Sequence, residues 1–200
     1  KTVLILGGGI GGIVAASRLR KSLPRAHRVV LVERESRHLF QPSLLWLMTG
    51  DRAPENISRP VGAIEKRGIE LVRGNIERID PARRAVQVNG TELTGDYLVI
   101  ALGAELAPET IPGLSEAGHN FYTLAGAEAL REARLQLNEG KLVVLVSGVP
   151  FECPAAPYEA AIFSSPTRTW LRASSSICSS IPSAGRSTTT TSKTRLASSS

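Results

Sequence analysis

The chain has 200 residues, 42% apolar and 21% charged, a balance that fits one globular domain or one and a fraction and excludes a wholly disordered, collagen-like or fibrous polymer. Its net charge of +6 comes from 24 basic against 18 acidic residues, and Arg168, Arg172, Arg186, Lys193 and Arg195 supply most of it, because no acid lies beyond residue 159. The basic excess is therefore a property of the tail. Two cysteines, Cys153 and Cys178, make neither a disulfide framework nor a zinc spacing, so a reducing, cytoplasmic compartment and no metal site are expected.

Thr2 to Leu6 (TVLIL) is a short β-branched apolar run, the pattern of a buried parallel strand. The run through Ala16 imitates a signal-peptide core, but five glycines between Gly7 and Gly12 argue for a structured turn instead. Ile10, Ile13, Val14 and Leu19 predict a helix with Arg18, Arg20 and Lys21 at its carboxyl end, stopped by Pro24. Arg28 to Glu33 predicts a second buried strand, completing a strand–helix–strand crossover unit. A short helix is expected over Leu44 to Met48. Glu70 to Arg73, Glu77 to Ile79, Ala85 to Val88 and Thr91 to Leu93 read as a small antiparallel piece with turns at Asp80-Pro81 and Asn89-Gly90.

Tyr97 to Leu102 returns to the buried parallel type. Thr123 is positioned to cap a helix from Leu124 to Asn138, with Gly140 as its terminator. Leu142 to Val146 predicts another buried strand, and Tyr158 to Phe163 starts a helix. From Ser164 onward, 20 of 37 residues are Ser or Thr, and disorder is expected because so little apolar surface can be buried. A change of reading frame near residue 163 would account for the abrupt shift, and the coding DNA tests that. The tail's five cations have little aromatic interleaving, so a solvated segment is expected and no nucleic-acid partner. No apolar stretch reaches the roughly 20 residues needed to span a bilayer.

Gly7-Gly8-Gly9-Ile10-Gly11-Gly12 contains GxGxxG between a strand and a helix. The first glycine permits the tight turn, the second lets backbone approach a pyrophosphate, and the third lets helix pack on strand. The helix amino terminus adds free N–H groups and a positive dipole end. Glu33 ends the second strand, where a carboxylate accepts hydrogen bonds from ribose hydroxyls and repels a 2′-phosphate. Together these features predict a dinucleotide site without choosing between FAD and NAD.

Asp96 to Ala104 (DYLVIALGA) resembles the YDxLVIATGA segment of flavoproteins of the glutathione reductase type, with Leu102 in place of the usual Thr. Adding the Arg37-His38-Leu39-Phe40-Gln41-Pro42 loop and Ile111-Pro112-Gly113, residues 1 to about 163 are similar to sulfide:quinone oxidoreductases, with flavocytochrome c sulfide dehydrogenases and type II NADH dehydrogenases as relatives. The resemblance implies FAD, with Gly7, Gly8, Gly9, Ile10, Gly11 and Gly12 at the pyrophosphate. It implies Glu33 and Arg34 near the adenosine ribose, Ile76 near the adenine, and Ala101 and Gly103 toward the flavin. Gln41 falls in a loop that runs toward the isoalloxazine in this family, and His38 in that loop is assigned no catalytic role.

The second turn reads Ser147-Gly148-Val149-Pro150-Phe151-Glu152, in which bulky residues and an acid stand where phosphate would approach, so nicotinamide binding there is not expected. Cys153-Pro154-Ala155-Ala156-Pro157-Tyr158-Glu159 resembles the stretch around one redox cysteine of the sulfide-oxidising members. The resemblance implies that Cys153 accepts sulfur from sulfide and that electrons pass through FAD to quinone, with peripheral membrane association through later parts of the family's chain. Cys178 has no matching neighbours and is given no role.

The expected architecture is α/β: a Rossmann-like FAD domain of the two-dinucleotide-domain type over residues 1–110 with a small antiparallel β piece, a second domain only begun over 111–163, and a tail over 164–200. The alternative functions are a type II NADH:quinone oxidoreductase-like flavoprotein and an inactive nucleotide-binding fragment.

Overall fold

The computed structural model describes residues 1–139, 142–148, 151, 153–164 and 191–192. In chain order these form β1 (Thr2–Leu6), α1 (Ile10–Ser22), β2 (Arg28–Glu33), β3 (Arg37–Leu39), α2 (Leu44–Thr49), α3 (Pro54–Ile57), β4 (Ser58–Pro60), β5 (Glu70–Arg73), β6 (Ile76–Asp80), β7 (Ala85–Val88), β8 (Thr91–Thr94) and β9 (Tyr97–Ile100). There follow α4 (Leu114–Ala117), α5 (Leu124–Gln136), β10 (Val144–Leu145), α6 (Ala156–Phe163) and β11 (Thr191–Ser192). The chain divides into two compact units, residues 1–41 with 54–118 and residues 42–53 with 119–200.

The first unit is built on a four-stranded sheet in the order β5-β2-β1-β9, every neighbour parallel. Its central strands β1 and β2 are apolar and buried over Val3 to Leu6 and Val29 to Val32 because both faces are covered. Val3, Ile5, Val29 and Leu31 pack with Ala16, Val61, Ile64 and Ile69 on one side, where Ile13 and Leu19 of α1 join them. Leu4, Leu6, Val30 and Val32 pack with Val86 and Val88 on the other. The layers are thus α1, parallel sheet, and the antiparallel meander β6-β7-β8. The α/β reading holds, with two corrections. The strand expected to be buried over Tyr97 to Leu102 pairs parallel with β1 but forms the sheet edge, with Tyr97 58% and Ile100 54% exposed. Glu70–Arg73 belongs to the parallel sheet and not to the antiparallel piece, because Leu71 and Val72 pair beside Leu31 and Val32 and pack into the two cores.

The strand order reverses beside β1: the chain moves from β1 to β2 to β5 on one side and returns as β9 on the other. In open parallel sheets such a reversal leaves a crevice at the carboxyl ends of the strands. Helix α1 ends where Pro24 requires it, and Arg20, only 9% exposed, donates to the carbonyls of Leu23, Pro24 and His27 at 2.6–2.9 Å. Those carbonyls lie at and just beyond the helix end, where cations are favoured. Asn89 and Gly90 both take positive φ, 48° and 76°, making the expected tight turn between β7 and β8.

In the second unit, Leu44, Leu45, Leu47 and Met48 of α2 are all buried, Trp46 meets Phe163 with ring centroids 5.8 Å apart, and Arg134 of α5 donates to the Met48 carbonyl at 3.1 Å. Thr123 caps α5 as its sequence position suggests, its hydroxyl accepting from Gly126 N–H at 3.0 Å. Gly140 lies outside the described residues. The strand expected over Leu142 to Val146 is reduced to Val144–Leu145, paired antiparallel with Thr191–Ser192 and half-exposed, since no parallel neighbour covers it among the described residues. Cys178 and the remainder of the expected tail lie outside the described residues. No helix among the described residues is long and apolar enough to cross a membrane.

Candidate functional site

At the carboxyl end of β1 the backbone turns through Gly7, whose φ is +96°. Gly7 N–H donates to Val32 O at 2.9 Å. A Cβ at Gly7 would stand 2.5 Å from the Ala101 carbonyl oxygen, so the ends of β1 and β9 approach too closely for any side chain. A Cβ at Gly12 would overlap the Gly7 carbonyl oxygen and lie 3.6 Å from Ile5, which is how α1 comes down onto β1. Gly9 differs: a Cβ there meets nothing within 4 Å. Two of the three fingerprint glycines are required by the fold itself, and the middle one opens a space.

Gly9 is the extended N-cap of α1 and offers no side-chain cap, and the first turn carries no acid. The amides of Ile10, Gly11 and Gly12 begin the helix and have no carbonyl one turn earlier to accept from them. Their donors and the dipole end suit an anion placed in the space over Gly9. Ala101 stands behind this turn, its methyl 3.8 Å from a Cβ built on Gly11, while Gly103 holds φ +77° just beyond β9.

Beside the turn lies a cleft of about 830 Å³ between the end of β2, the start of the meander and the loop after β9. Gly7, Glu33, Arg34, Ile76, Leu102 and Glu105 are among its walls. Glu33 Oε2 accepts from Gly8 N–H, and Oε1 accepts from Glu35 N–H at 2.7 Å. Each oxygen keeps further acceptor capacity for hydroxyl groups. Arg34 bridges to Glu35 at 3.3 Å and to Glu105 at 3.4 Å. Glu33, Glu35, Glu77 and Glu105 outnumber Arg34 and Arg78 around the cleft, an arrangement that favours neutral hydroxyls over an additional phosphate.

The structure therefore brings Gly7, Glu33, Arg34 and Ile76 to one cleft, with Gly8, Gly9, Ile10, Gly11, Gly12, Ala101 and Gly103 at the adjoining turn. Gln41 is exposed, opens a 3-10 turn that ends at the buried Ser43, and is not among the cleft walls. Cys153 belongs to the second unit, half-buried, its carbonyl accepting from Ala156 N–H at 3.2 Å just before α6. Val149, Pro150 and Glu152 of the second turn lie outside the described residues. Sequence reasoning missed Glu105 and the role of Asn89, whose side chain accepts from Asn75 N–H at 3.0 Å and donates to Arg73 O at 3.4 Å. Those bonds set the chain entering Ile76. The Asn-Gly pair signalled a turn, but nothing in the sequence pointed its side chain back to residues 73–75.

The open cradle, the unpaired amides and the adjoining carboxylate fit a dinucleotide. Residues 1–149 match the family described as pyridine nucleotide-disulphide oxidoreductase. The chain is 32% identical over 164 residues to the mitochondrial sulfide:quinone oxidoreductase of Mus musculus, a match covering 78% of this chain and 36% of that protein. It is 34% identical over 149 residues to the alternative NAD(P)H-ubiquinone oxidoreductase C1 of Arabidopsis thaliana, covering 65% and 28%. The crystal structure of sulfide:quinone oxidoreductase from Aquifex aeolicus aligns with a TM-score of 0.64 and 32% identity over 68% of this chain and 32% of that one. The chain spans about a third of the length of these relatives. With that match running from β1 into the second unit, the chain belongs to the FAD-binding pyridine nucleotide-disulphide oxidoreductase family as a sulfide:quinone oxidoreductase-like member.

Proposed function

We propose that this chain is the FAD-holding part of an enzyme that oxidises sulfide and passes the electrons to quinone. The turn from Gly7 to Gly12 holds the FAD diphosphate on the amides that begin α1, Glu33 accepts from the adenosine ribose hydroxyls with Arg34 beside it, and Ile76 lines the adenine. Ala101 and Gly103 sit toward the flavin, as does Gln41 through its loop. Bound FAD supplies two-electron acceptance from the sulfur side and delivery to the quinone side.

The observation that carries the sulfide reading is Cys153 in its Cys-Pro-Ala-Ala-Pro-Tyr-Glu setting, half-buried and immediately before α6. Pro154 and Pro157 restrict the backbone that follows Cys153. With Cys153 in a disulfide to a second thiol supplied from outside this chain, hydrosulfide attacks the Cys153 sulfur, the S–S bond breaks, Cys153 keeps the new sulfur as a persulfide, and the second thiolate leaves with the electron pair. Cys178, the other cysteine of the sequence, is not assigned that partner role. Association with a membrane surface, where quinone resides, is part of the same proposal.

The second reading is NAD(P)H-driven quinone reduction, favoured by the Arabidopsis relative of comparable identity. Anaerobic titration of the FAD-loaded enzyme that carries this chain together with that second thiol separates the two. Sulfide should bleach the flavin absorbance in the wild type and fail to do so in Cys153→Ser. Bleaching by NADH that persists in Cys153→Ser, with none by sulfide in either protein, would replace the first reading with the second.

A further inference from the structure

We infer that His38 is a positioning residue that locks the peptide between Gly8 and Gly9 in the orientation a diphosphate requires. This rests on the reading of the glycine turn as the diphosphate site. His38 lies in β3, paired with Arg59 of β4, and its half-buried ring places Nδ1 3.0 Å from the Gly8 carbonyl oxygen. A carbonyl oxygen only accepts, so Nδ1 carries the hydrogen and donates it.

In a trans peptide the carbonyl of one residue and the N–H of the next point in opposite directions. Pinning the Gly8 carbonyl on His38 therefore turns the Gly9 N–H away from β3. That N–H has no partner among the described residues, and the side-chain position of Gly9 is open to 4 Å. The preceding peptide is held in turn, because Gly8 N–H donates to Glu33. Two consecutive peptides are thus fixed by two side chains, one gripping an N–H and the other a carbonyl.

The need for such a lock follows from the residues themselves. Three successive glycines have little steric preference of their own, so the Gly8–Gly9 peptide can rotate at small cost. Rotated, it would present a carbonyl oxygen to a phosphate oxygen, and the donor would become a repulsive contact. Glycine's freedom lets the backbone come close to the anion, and His38 removes the orientation in which that closeness is harmful.

Calorimetric binding of ADP and of adenosine to the purified full chain tests this in the wild type, His38→Ala and His38→Asn. Adenosine uses the ribose and base contacts alone, whereas ADP adds the diphosphate. His38→Ala should weaken ADP binding about tenfold, the scale of one hydrogen bond that serves a charged group. Adenosine binding should stay within about twofold. His38→Asn puts an amide N–H where Nδ1 stands and should recover most of the ADP affinity. The inference is overturned if ADP binding survives His38→Ala unchanged, if ADP and adenosine weaken equally, or if Asn rescues no better than Ala. A wild type that binds ADP no more tightly than adenosine would instead remove the diphosphate site itself.

Discussion

At the scale of single residues, the fingerprint separates into glycines that build the turn and a glycine that leaves room for a ligand. Gly12→Ala forces a methyl into the Gly7 carbonyl, so α1 must move off β1. The expected loss is on the order of 3 kcal/mol, measurable as a lowered urea midpoint without any ligand. Gly9→Ala should behave oppositely. Its φ of −68° suits any residue and its methyl meets nothing, so unliganded stability should fall by less than about 1 kcal/mol while ADP affinity drops sharply. Equal effects of the two substitutions on stability would contradict that division of labour. The motif spacing made the turn legible in the sequence. It did not make His38 legible, because a histidine thirty positions away along the chain gives no sign of which carbonyl it will meet.

Among elements, the helix ends and strand pairings hold most of what the sequence left open. Arg20 looked like one of three cations near the end of α1, yet it alone is buried, donating to three carbonyls that close the helix. Its Nε finds no partner among the described residues. Arg20→Met should therefore lower stability by about 2 kcal/mol, since the carbonyls lose charged donors in a place that water reaches poorly. Arg18→Met, on an unburied position of the same helix, is the control and should change the urea midpoint little.

The misread strand β5 has an electrostatic counterpart. Arg28 of β2 grips Glu70 of β5 with two bonds of 2.9 and 2.7 Å, and the hydrogen bonds from Arg28 hold the Glu70 carboxyl below the usual carboxylate range. A depressed folded-state pKa means the stabilisation is complete above the unfolded-state value and is lost as pH falls through the folded one. Both side chains are about half-exposed, so the contribution stays below about 1 kcal/mol. Urea midpoints of wild type and Glu70→Gln should differ slightly near neutral pH and converge as pH falls from about 4 through the lowered folded-state value. Short runs such as ELVR carry no period long enough to distinguish a parallel edge from an antiparallel one, which is why pairing had to be seen.

For the whole molecule, the sequence disclosed the parallel sheet and its glycine turn because each rests on local pattern: apolar runs, glycine spacing and a terminal acid. It disclosed less about the second unit, where Val144–Leu145 reads as a core strand and is instead half-exposed, since burial there depends on neighbours that no local pattern names. The cleft is a property of the assembled first unit, with Glu33, Glu105 and Ile76 arriving from three separate segments. A ligand that binds only when those segments are assembled must stabilise the fold by mass action. FAD or ADP at about 100 times its Kd should add roughly 2.7 kcal/mol to the unfolding free energy. The acid excess around the cleft makes the effect selective. ADP bearing an added 2′-phosphate keeps the 5′-diphosphate, places the extra phosphate where Glu33 stands and should stabilise far less than ADP at equal concentration. Thermal unfolding across a concentration series of the two nucleotides measures this directly. A shift with the 2′-phosphorylated nucleotide equal to that with ADP would mean that Glu33 faces away from the ribose, and the orientation of the nucleotide in the cleft would have to be reversed.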